Sequence, residues 1–357
     1  MKYYRLDRIL KTGALYNIIF GERSNGKTYA VQEYALKEYI EKGSQLAVIR
    51  RWRDDFIGKR GQMMFSALVE NGVVKKLTSG EWTDIYYHAS RWYLCRYEND
   101  KRIMSEEPFA FGFSVTAQEH DKSTSYPKVR TILFDEFITR TLYAQDEFVL
   151  FQNVLSTIIR QRTDVIIFML GNTVNKFCPY FNEMGLKHIS KMKAGDIDVY
   201  NYGDTGLKVA VEYTESNKRG KPSDVYFAFD NPKLKMITGG EWEIDIYPHC
   251  PEKYRPCDIV YKFFIVFDGN ILQCNVLSTD TGNYLFIHRK TTPLKNYDED
   301  LIFTLDISPK PNIRKNIMRP HDNIGKRIAN FFIMEKVFYS TNEVGEIVMN
   351  YLNSCKG

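Results

Sequence analysis

Along the first half of the chain the apolar residues fall in short unbroken runs of strand length, each closed by turn or charged residues. Ala14-Leu15-Tyr16-Asn17-Ile18-Ile19-Phe20 is the first run and Gln45-Leu46-Ala47-Val48-Ile49 the second. Between them Ala30, Val31, Tyr34, Ala35 and Tyr39 recur at the spacing of a helix face. Strand, helix, strand in that order predicts a parallel sheet covered by helices on both faces, an α/β architecture. Residues 83–88 and 92–97 read as a hairpin turning near Ala89-Ser90-Arg91. The runs at 109–115, 128–134 and 165–170 add further strands. Residues 146–162 read as a helix that turns Phe148, Phe151, Val154, Leu155 and Ile158 inward. From residue 189 the pattern weakens. Gly195, Gly203, Gly206 and Gly220, with the polar run 215–223, read as a connecting region holding one strand at 207–213. Runs return at 259–267 and 271–277, on either side of Asp268-Gly269-Asn270, a hairpin with suitable turn chemistry. A third strand at 284–288 and helices near 324–338 and 341–352 complete an antiparallel α+β module. The expected organisation is therefore a first domain at 1–195, a linker region at 196–224 and a second domain at 225–357, since 357 residues exceed one comfortable core.

Composition changes this picture little. Charged residues at 26% and hydrophobic ones at 44% are those of a soluble globular protein, and 24 Tyr with 23 Phe point to aromatic-rich cores. A net charge of +5 permits a polyanionic partner without requiring one, so basic patches have to be argued locally. Six cysteines without a C-x-x-C pair, behind an N-terminus that opens no signal peptide, predict reduced thiols in a cytoplasmic compartment. No apolar run approaches the roughly 20 residues of a membrane span, so no membrane partner is expected. His249, Cys250 and Cys257 lie near one another but lack a second ligand pair, so no zinc site is expected there.

The chemistry enters with Gly21-Glu22-Arg23-Ser24-Asn25-Gly26-Lys27-Thr28, a full G-x-x-x-x-G-K-T phosphate loop between a predicted strand and a predicted helix. Its glycines let backbone N–H groups turn around phosphates, and the helix beginning near Lys27 adds its positive end. Gly21, Arg23, Ser24, Asn25, Gly26, Lys27, Thr28 and Tyr29 are the candidate ATP-binding residues. Lys27 would reach the β- and γ-phosphates and Thr28 would ligate Mg²⁺. A second motif closes the strand at 128–134: Asp135 would hold the Mg²⁺ shell and Glu136 would act on the attacking water as general base. Asn172, at the end of the 165–170 strand, stands where a γ-phosphate sensor or water-positioning group would be, or is a turn residue. The basic cluster Arg50-Arg51-Trp52-Arg53 reads equally as a phosphate or nucleic-acid contact and as a solvated turn. Arg160-Gln161-Arg162 can be explained by the helix dipole alone.

Together these stretches resemble the genome-packaging ATPases of small protein-primed tailed phages, the phi-twenty-nine-like group. The resemblance runs through residues 21–29, Arg50-Arg51, Lys122-Ser123, Tyr126-Pro127, residues 131–138, Arg160-Gln161-Arg162 and residues 170–181, and is weaker beyond. It implies an ATPase of the additional-strand, catalytic-glutamate class of P-loop NTPases that translocates double-stranded viral DNA through a capsid portal. The C-terminal domain would resemble a vestigial, RNase H-like nuclease fold. A pentameric ring contacting a structural prohead RNA is implied, as is action in the host cytoplasm while docked on the prohead, without retention in the mature virion. The resemblance makes Arg160 an arginine finger offered to a neighbouring subunit and Lys122 a second basic residue acting in trans. Arg53 matches a channel residue facing DNA. Arg51, Arg140, Lys218, Arg219 and Lys221 are further nucleic-acid candidates. Two other readings remain open. One is a terminase-like protein whose second domain cuts DNA, with Asp258, Asp268, Asp280, Asp298 and Asp306 as metal-ligand candidates. The other is a structural or RNA-binding protein with a silent nucleotide fold.

Overall fold

In a computed structural model, residues 4–117, 124–139, 143–215, 247–250 and 253–355 are described, and the chain divides into two compact units, Met1–Trp242 and Glu243–Gly357. The first unit is built on β1 (Tyr16–Gly21), β2 (Gln45–Arg50), β3 (Asp84–His88), β4 (Arg91–Glu98), β5 (Lys101–Met104), β6 (Ala110–Ser114), β7 (Val129–Asp135), β8 (Ile166–Asn172), β9 (Ile197–Tyr202) and β10 (Leu207–Tyr213). Their order is β3-β4-β6-β2-β7-β8-β1-β10-β9, with β5 paired to β4. β6, β2, β7, β8, β1 and β10 run parallel, and β3, β4 and β9 join antiparallel.

The near-continuous apolar runs follow from burial on both faces. Along β1, Ile18 and Phe20 enter one core while Ile19, between them, enters the other. The helix Glu147–Ile159 sends Phe151, Val154, Leu155 and Ile158 into the first core, where Phe151 stacks on Phe134 with ring centroids 4.9 Å apart. The helix Lys27–Lys42 sends Val31, Ala35 and Leu36 into the second.

One expected boundary is overturned. Residues 197–213 are not linker: β10 lies parallel to β1 with Val209, Ala210 and Val211 buried, and the first unit extends past them. Gly203 and Gly206, at φ +50° and +69°, make the turn of the β9–β10 hairpin, which is why a glycine-rich stretch imitated a linker. Residues 216–224 of the expected linker lie outside the described residues.

In the second unit β11 (Ile259–Phe267), β12 (Asn270–Thr279), β13 (Gly282–Arg289), β14 (Ile302–Thr304), β15 (Ile313–Arg314) and β16 (Val337–Tyr339) take the order β15-β14-β11-β12-β13-β16. The expected hairpin is present, with Asp268 and Gly269 both at positive φ, the geometry a tight turn between twisted strands requires. The sheet is mixed rather than antiparallel, because β14, β15 and β16 pair parallel to their neighbours. The expected helix at 324–338 ends at Ile333. The chain turns at Glu335 and buries Val337 and Tyr339 as an edge strand instead. The last helix, Asn342–Ser354, is as expected. Among the described residues no helix is long and apolar enough to cross a membrane.

The helix Asn323–Ile333 is capped by Asp322, whose carboxylate accepts from the Gly325 N–H at 2.7 Å and pairs with Arg314 at 2.6 Å. The Arg314 and Gly325 hydrogen bonds draw its pKa down to about 2. A folded pKa below the unfolded one gives stability that is complete above about pH 4 and lost as pH falls toward 2. The Tm difference between wild type and Asp322→Asn, which keeps a cap acceptor without the charge, is therefore expected to be full at pH 7 and to shrink toward zero near pH 2. Calorimetry showing the same difference at both pH values would sink this account.

Candidate nucleotide site

The parallel strands bring the ends of β1, β2, β7 and β8 to one edge, with Gly21 beside Asn172, Asp135 beside Leu170 and Ile49 beside Phe134. β8 lies between β1 and β7. The loop after β1 bends through Gly21 at φ +153°, Ser24 at +59° and Gly26 at +92° before the helix Lys27–Lys42 begins. A Cβ at Gly21 would stand 2.0 Å from Thr214 Oγ1, so a side chain there collides with the end of β10. Asn25 ties the loop to the same strand end, donating from Nδ2 to Thr214 Oγ1 at 2.8 Å. The Tyr4 N–H donates to the Asn25 carbonyl at 3.0 Å.

Lys27 is buried and folded back on the loop. Its Nζ donates to the Glu22 carbonyl at 2.7 Å, to Asn25 Oδ1 at 3.2 Å and to Asn172 Oδ1 at 3.3 Å. Burial pushes its pKa down to about 8, against the opposing pull of Asp135 and Glu22. The Thr28 hydroxyl donates to Asp135 Oδ1 at 3.2 Å. Burial raises the Asp135 carboxyl above the ordinary carboxylate range, with Arg50 pulling the other way. Glu136 stands at φ +61° with its carboxylate exposed. A cleft of about 780 Å³ is lined by Arg23, Ser24, Asn25, Gly26, Lys27, Thr28 and Tyr29 on one side and by Asp135, Glu136, Gly171 and Asn172 on the other. Loop, lysine, hydroxyl and carboxylates expected from two separate motifs thus converge on one cavity. Their donor set fits a nucleotide polyphosphate and an oxygen-ligated Mg²⁺.

The basic candidates separate. Arg51 is only 6% exposed: Nε pairs with Glu147 at 2.8 Å, while the two terminal nitrogens donate to the carbonyls of Glu136 at 3.3 Å and Phe137 at 2.7 Å. Its donors are taken up within the chain, and what it lines is the nucleotide cleft rather than an outer surface. Arg53 is exposed on the short helix Arg53–Phe56 and lines a separate cavity of about 250 Å³. Arg160 caps the helix Glu147–Ile159 at φ +56°, exposed, with one guanidinium hydrogen bond to the Thr124 carbonyl at 3.2 Å. Arg162, by contrast, donates to the carbonyls of Val129, Ile158, Tyr126, Ile159 and Pro127. Lys122, Arg140, Lys218, Arg219 and Lys221 lie outside the described residues.

Three features escaped the sequence reading. Arg50 bridges both carboxylates, at 2.7 Å to Asp135 Oδ2 and 2.7 Å to Glu136 Oε2. The signal was available: one apolar run is followed by Arg50 and the other by Asp135, and parallel pairing of the two strands puts cation beside carboxylate. Glu147 is 3% exposed and receives Arg51, the Tyr180 hydroxyl at 2.9 Å and the Ala144 N–H at 2.7 Å. Thr214 belongs to a stretch read as linker.

Comparison with known proteins agrees with this arrangement. The DNA packaging protein of Bacillus phage phi29 is 25% identical over 182 residues, which are 50% of this chain and 49% of that protein. The DNA packaging protein of Bacillus phage B103 is 26% identical over 183 residues, with the same shares. The match thus spans about half the length of these curated relatives. The fold is shared with the bacteriophage Phi-29 viral genome packaging motor assembly, at TM-score 0.55 and 18% identity over 99% of each chain. It is shared too with the Phi-28 gp11 DNA packaging motor, at TM-score 0.53 and 17% identity over 99% of this chain and 98% of that one. A family model described as podovirus DNA encapsidation protein (Gp16) matches residues 1–222, most of the chain, and the protein belongs to that family.

Proposed function

We propose that this chain is an ATP-hydrolysing motor that drives double-stranded viral DNA into a preformed capsid through its portal. The observation that carries the reading is the convergence of the phosphate loop, Asp135 and Glu136 on one cleft in a chain of the encapsidation family. The position of β8, between the phosphate-loop strand and the carboxylate strand, supports the additional-strand, catalytic-glutamate class of P-loop NTPases. The loop N–H groups and Lys27 bind the phosphates, and Asn172, already at Lys27 Nζ, is placed beside the γ-phosphate. Thr28 and Asp135 would hold Mg²⁺, which supplies charge neutralisation on the β- and γ-oxygens. Glu136, aimed from the edge of the same cleft, takes the proton of the attacking water.

Arg160 serves as a finger in a neighbouring subunit's site. Its exposure and its place outside the cleft of its own chain support this, and the dense carbonyl bonding of Arg162 supports giving Arg162 a structural role. A finger supplied in trans makes hydrolysis depend on a ring, for which we adopt the pentamer docked on portal and prohead RNA in the host cytoplasm. Arg53, exposed, faces DNA phosphates, which a translocating motor grips without regard to sequence.

The second unit reads as an RNase H-like fold that no longer cuts. Numbering its strands from β11, the order is 6-3-2-1-4-5; the 3-2-1-4-5 part, with the fourth and fifth parallel to the first, supports that fold, and the sixth is added parallel beside the third. β11 carries no carboxylate, and of the candidate acidic residues Asp258 pairs with Arg255 and Asp298 with Lys310.

The test is ATP hydrolysis by the protein alone, with double-stranded DNA, and on portal-bearing proheads, with the DNA recovered and sized. DNA- or prohead-stimulated hydrolysis with full-length DNA is expected. Shortened DNA would move the reading to a terminase-like nuclease, and no hydrolysis even on proheads would leave a silent nucleotide fold.

A further inference from the structure

Arg51 is the most buried member of its basic cluster; it lines the nucleotide cleft, and its guanidinium donates to the backbone of the carboxylate loop. Its fork donates to the carbonyls of Glu136 and Phe137, at 3.3 and 2.7 Å, while Nε pairs with Glu147 at 2.8 Å and the guanidinium lies 5.0 Å over the Tyr143 ring. Glu136 is a non-glycine residue at φ +61°, a left-handed conformation that L-residues hold only where the surroundings impose it. Next in the chain, the Phe137 N–H donates to the Leu170 carbonyl at 3.1 Å. Two carbonyls and one N–H of consecutive residues are therefore fixed from opposite sides, and the carboxylate between them is left exposed to the cleft.

We infer that Arg51 is a positioning residue for the hydrolytic carboxylate: by clamping the Glu136 and Phe137 carbonyls it sets the turn that aims Glu136 at the nucleotide. This rests on the ATPase reading above. Glu147 is the counter-charge that keeps the clamp in place, itself held by Tyr180 and by the Ala144 N–H. It opens the helix Glu147–Ile159, whose C-terminal cap is Arg160, so the turn bearing the base and the proposed finger share one rigid support. The geometry needs arginine. A planar fork reaches a carboxylate and two carbonyls in fixed directions at once, whereas a lysine ammonium is a single point on a flexible stem. Misplacing a reacting group by about 1 Å costs on the order of 10²-fold in rate, whereas the Lys27 side chain is held by Glu22, Asn25 and Asn172 without Arg51.

The test uses Arg51→Lys, which keeps a cation opposite Glu147, in the full chain under whichever condition gives wild-type hydrolysis. We expect kcat to fall on the order of 10²-fold. Two buried carbonyls left unpaired will lower the Tm, but measured well below it the affinity for a fluorescent non-hydrolysable ATP analogue should stay near wild type. The double variant Arg51→Lys/Glu136→Gln should be no slower than Glu136→Gln alone, because Arg51 acts only through Glu136. Unchanged kcat, losses that add in the double variant, or a fall in affinity in step with kcat would each overturn the assignment. Wild type inactive under every condition would instead remove the ATPase reading on which it rests.

Discussion

Glu136→Gln is expected to slow ATP hydrolysis by about 10²- to 10⁴-fold, the range a general base contributes, while nucleotide affinity stays within a few-fold of wild type. The reason is positional. The Glu136 carboxylate is exposed at the edge of the cleft, whereas the phosphate-binding groups are the loop N–H donors and the buried Lys27. Glutamine fills the same volume and still offers an oxygen to Arg50, so the 2.7 Å contact that holds the side chain survives as a neutral hydrogen bond. What disappears is the ability to take a proton. Removing Asp135 is a different experiment, because that carboxylate is buried against Thr28 and would belong to the Mg²⁺ site. Single-turnover hydrolysis beside equilibrium binding of an ATP analogue separates the two. A Glu136→Gln protein that hydrolyses at the wild-type rate would take the base role away from this residue.

What was legible in the sequence followed from local chemistry. The phosphate loop is contiguous, and its strand and helix are announced by an apolar run and a helical spacing on either side, so loop, Lys27 and Thr28 could be placed without knowing any other contact. Asp135 and Glu136 were legible because a buried parallel strand that ends in carboxylates delivers them to the ligand edge. The failures are of another kind. Arg51 and Arg53 are two residues apart in one basic cluster, yet one is buried on Glu147 and the other exposed. Only the partner, 96 residues further along the chain, distinguishes them. β9 was lost, and β10 was read as a strand within a linker, because glycines that make a hairpin turn look like glycines that loosen a linker. β16 was lost because three residues pairing at a sheet edge carry too little periodicity to interrupt a helical pattern. In each case a long-range pairing decided what local propensity had left open.

Mixing Lys27→Ala with Arg160→Ala protein is expected to restore ATP hydrolysis that neither variant shows alone. Loss of the finger costs about 10³- to 10⁵-fold, because equatorial charge on the transferring phosphoryl is left unneutralised. Loss of Lys27 removes the cation that the loop holds over its own carbonyls. In a cyclic head-to-tail ring each site combines one subunit's loop with its neighbour's finger. At equal mixing, about one interface in four pairs an intact loop with an intact finger, so recovery should approach a quarter of the wild-type rate. Arg162→Ala should not substitute for Arg160→Ala in this assay. Its guanidinium is bound to the carbonyls of Val129 and Ile158 within its own chain, so losing it is expected to lower Tm and to spare complementation. Among the described residues the Arg160 guanidinium donates to the Thr124 carbonyl alone, and the side chain is exposed. Arg160→Ala protein active by itself, with Arg162→Ala inactive alone and restored by mixing with Lys27→Ala, would exchange the two roles. Recovery in neither mixture, with each variant still forming rings, would place the finger elsewhere in the chain.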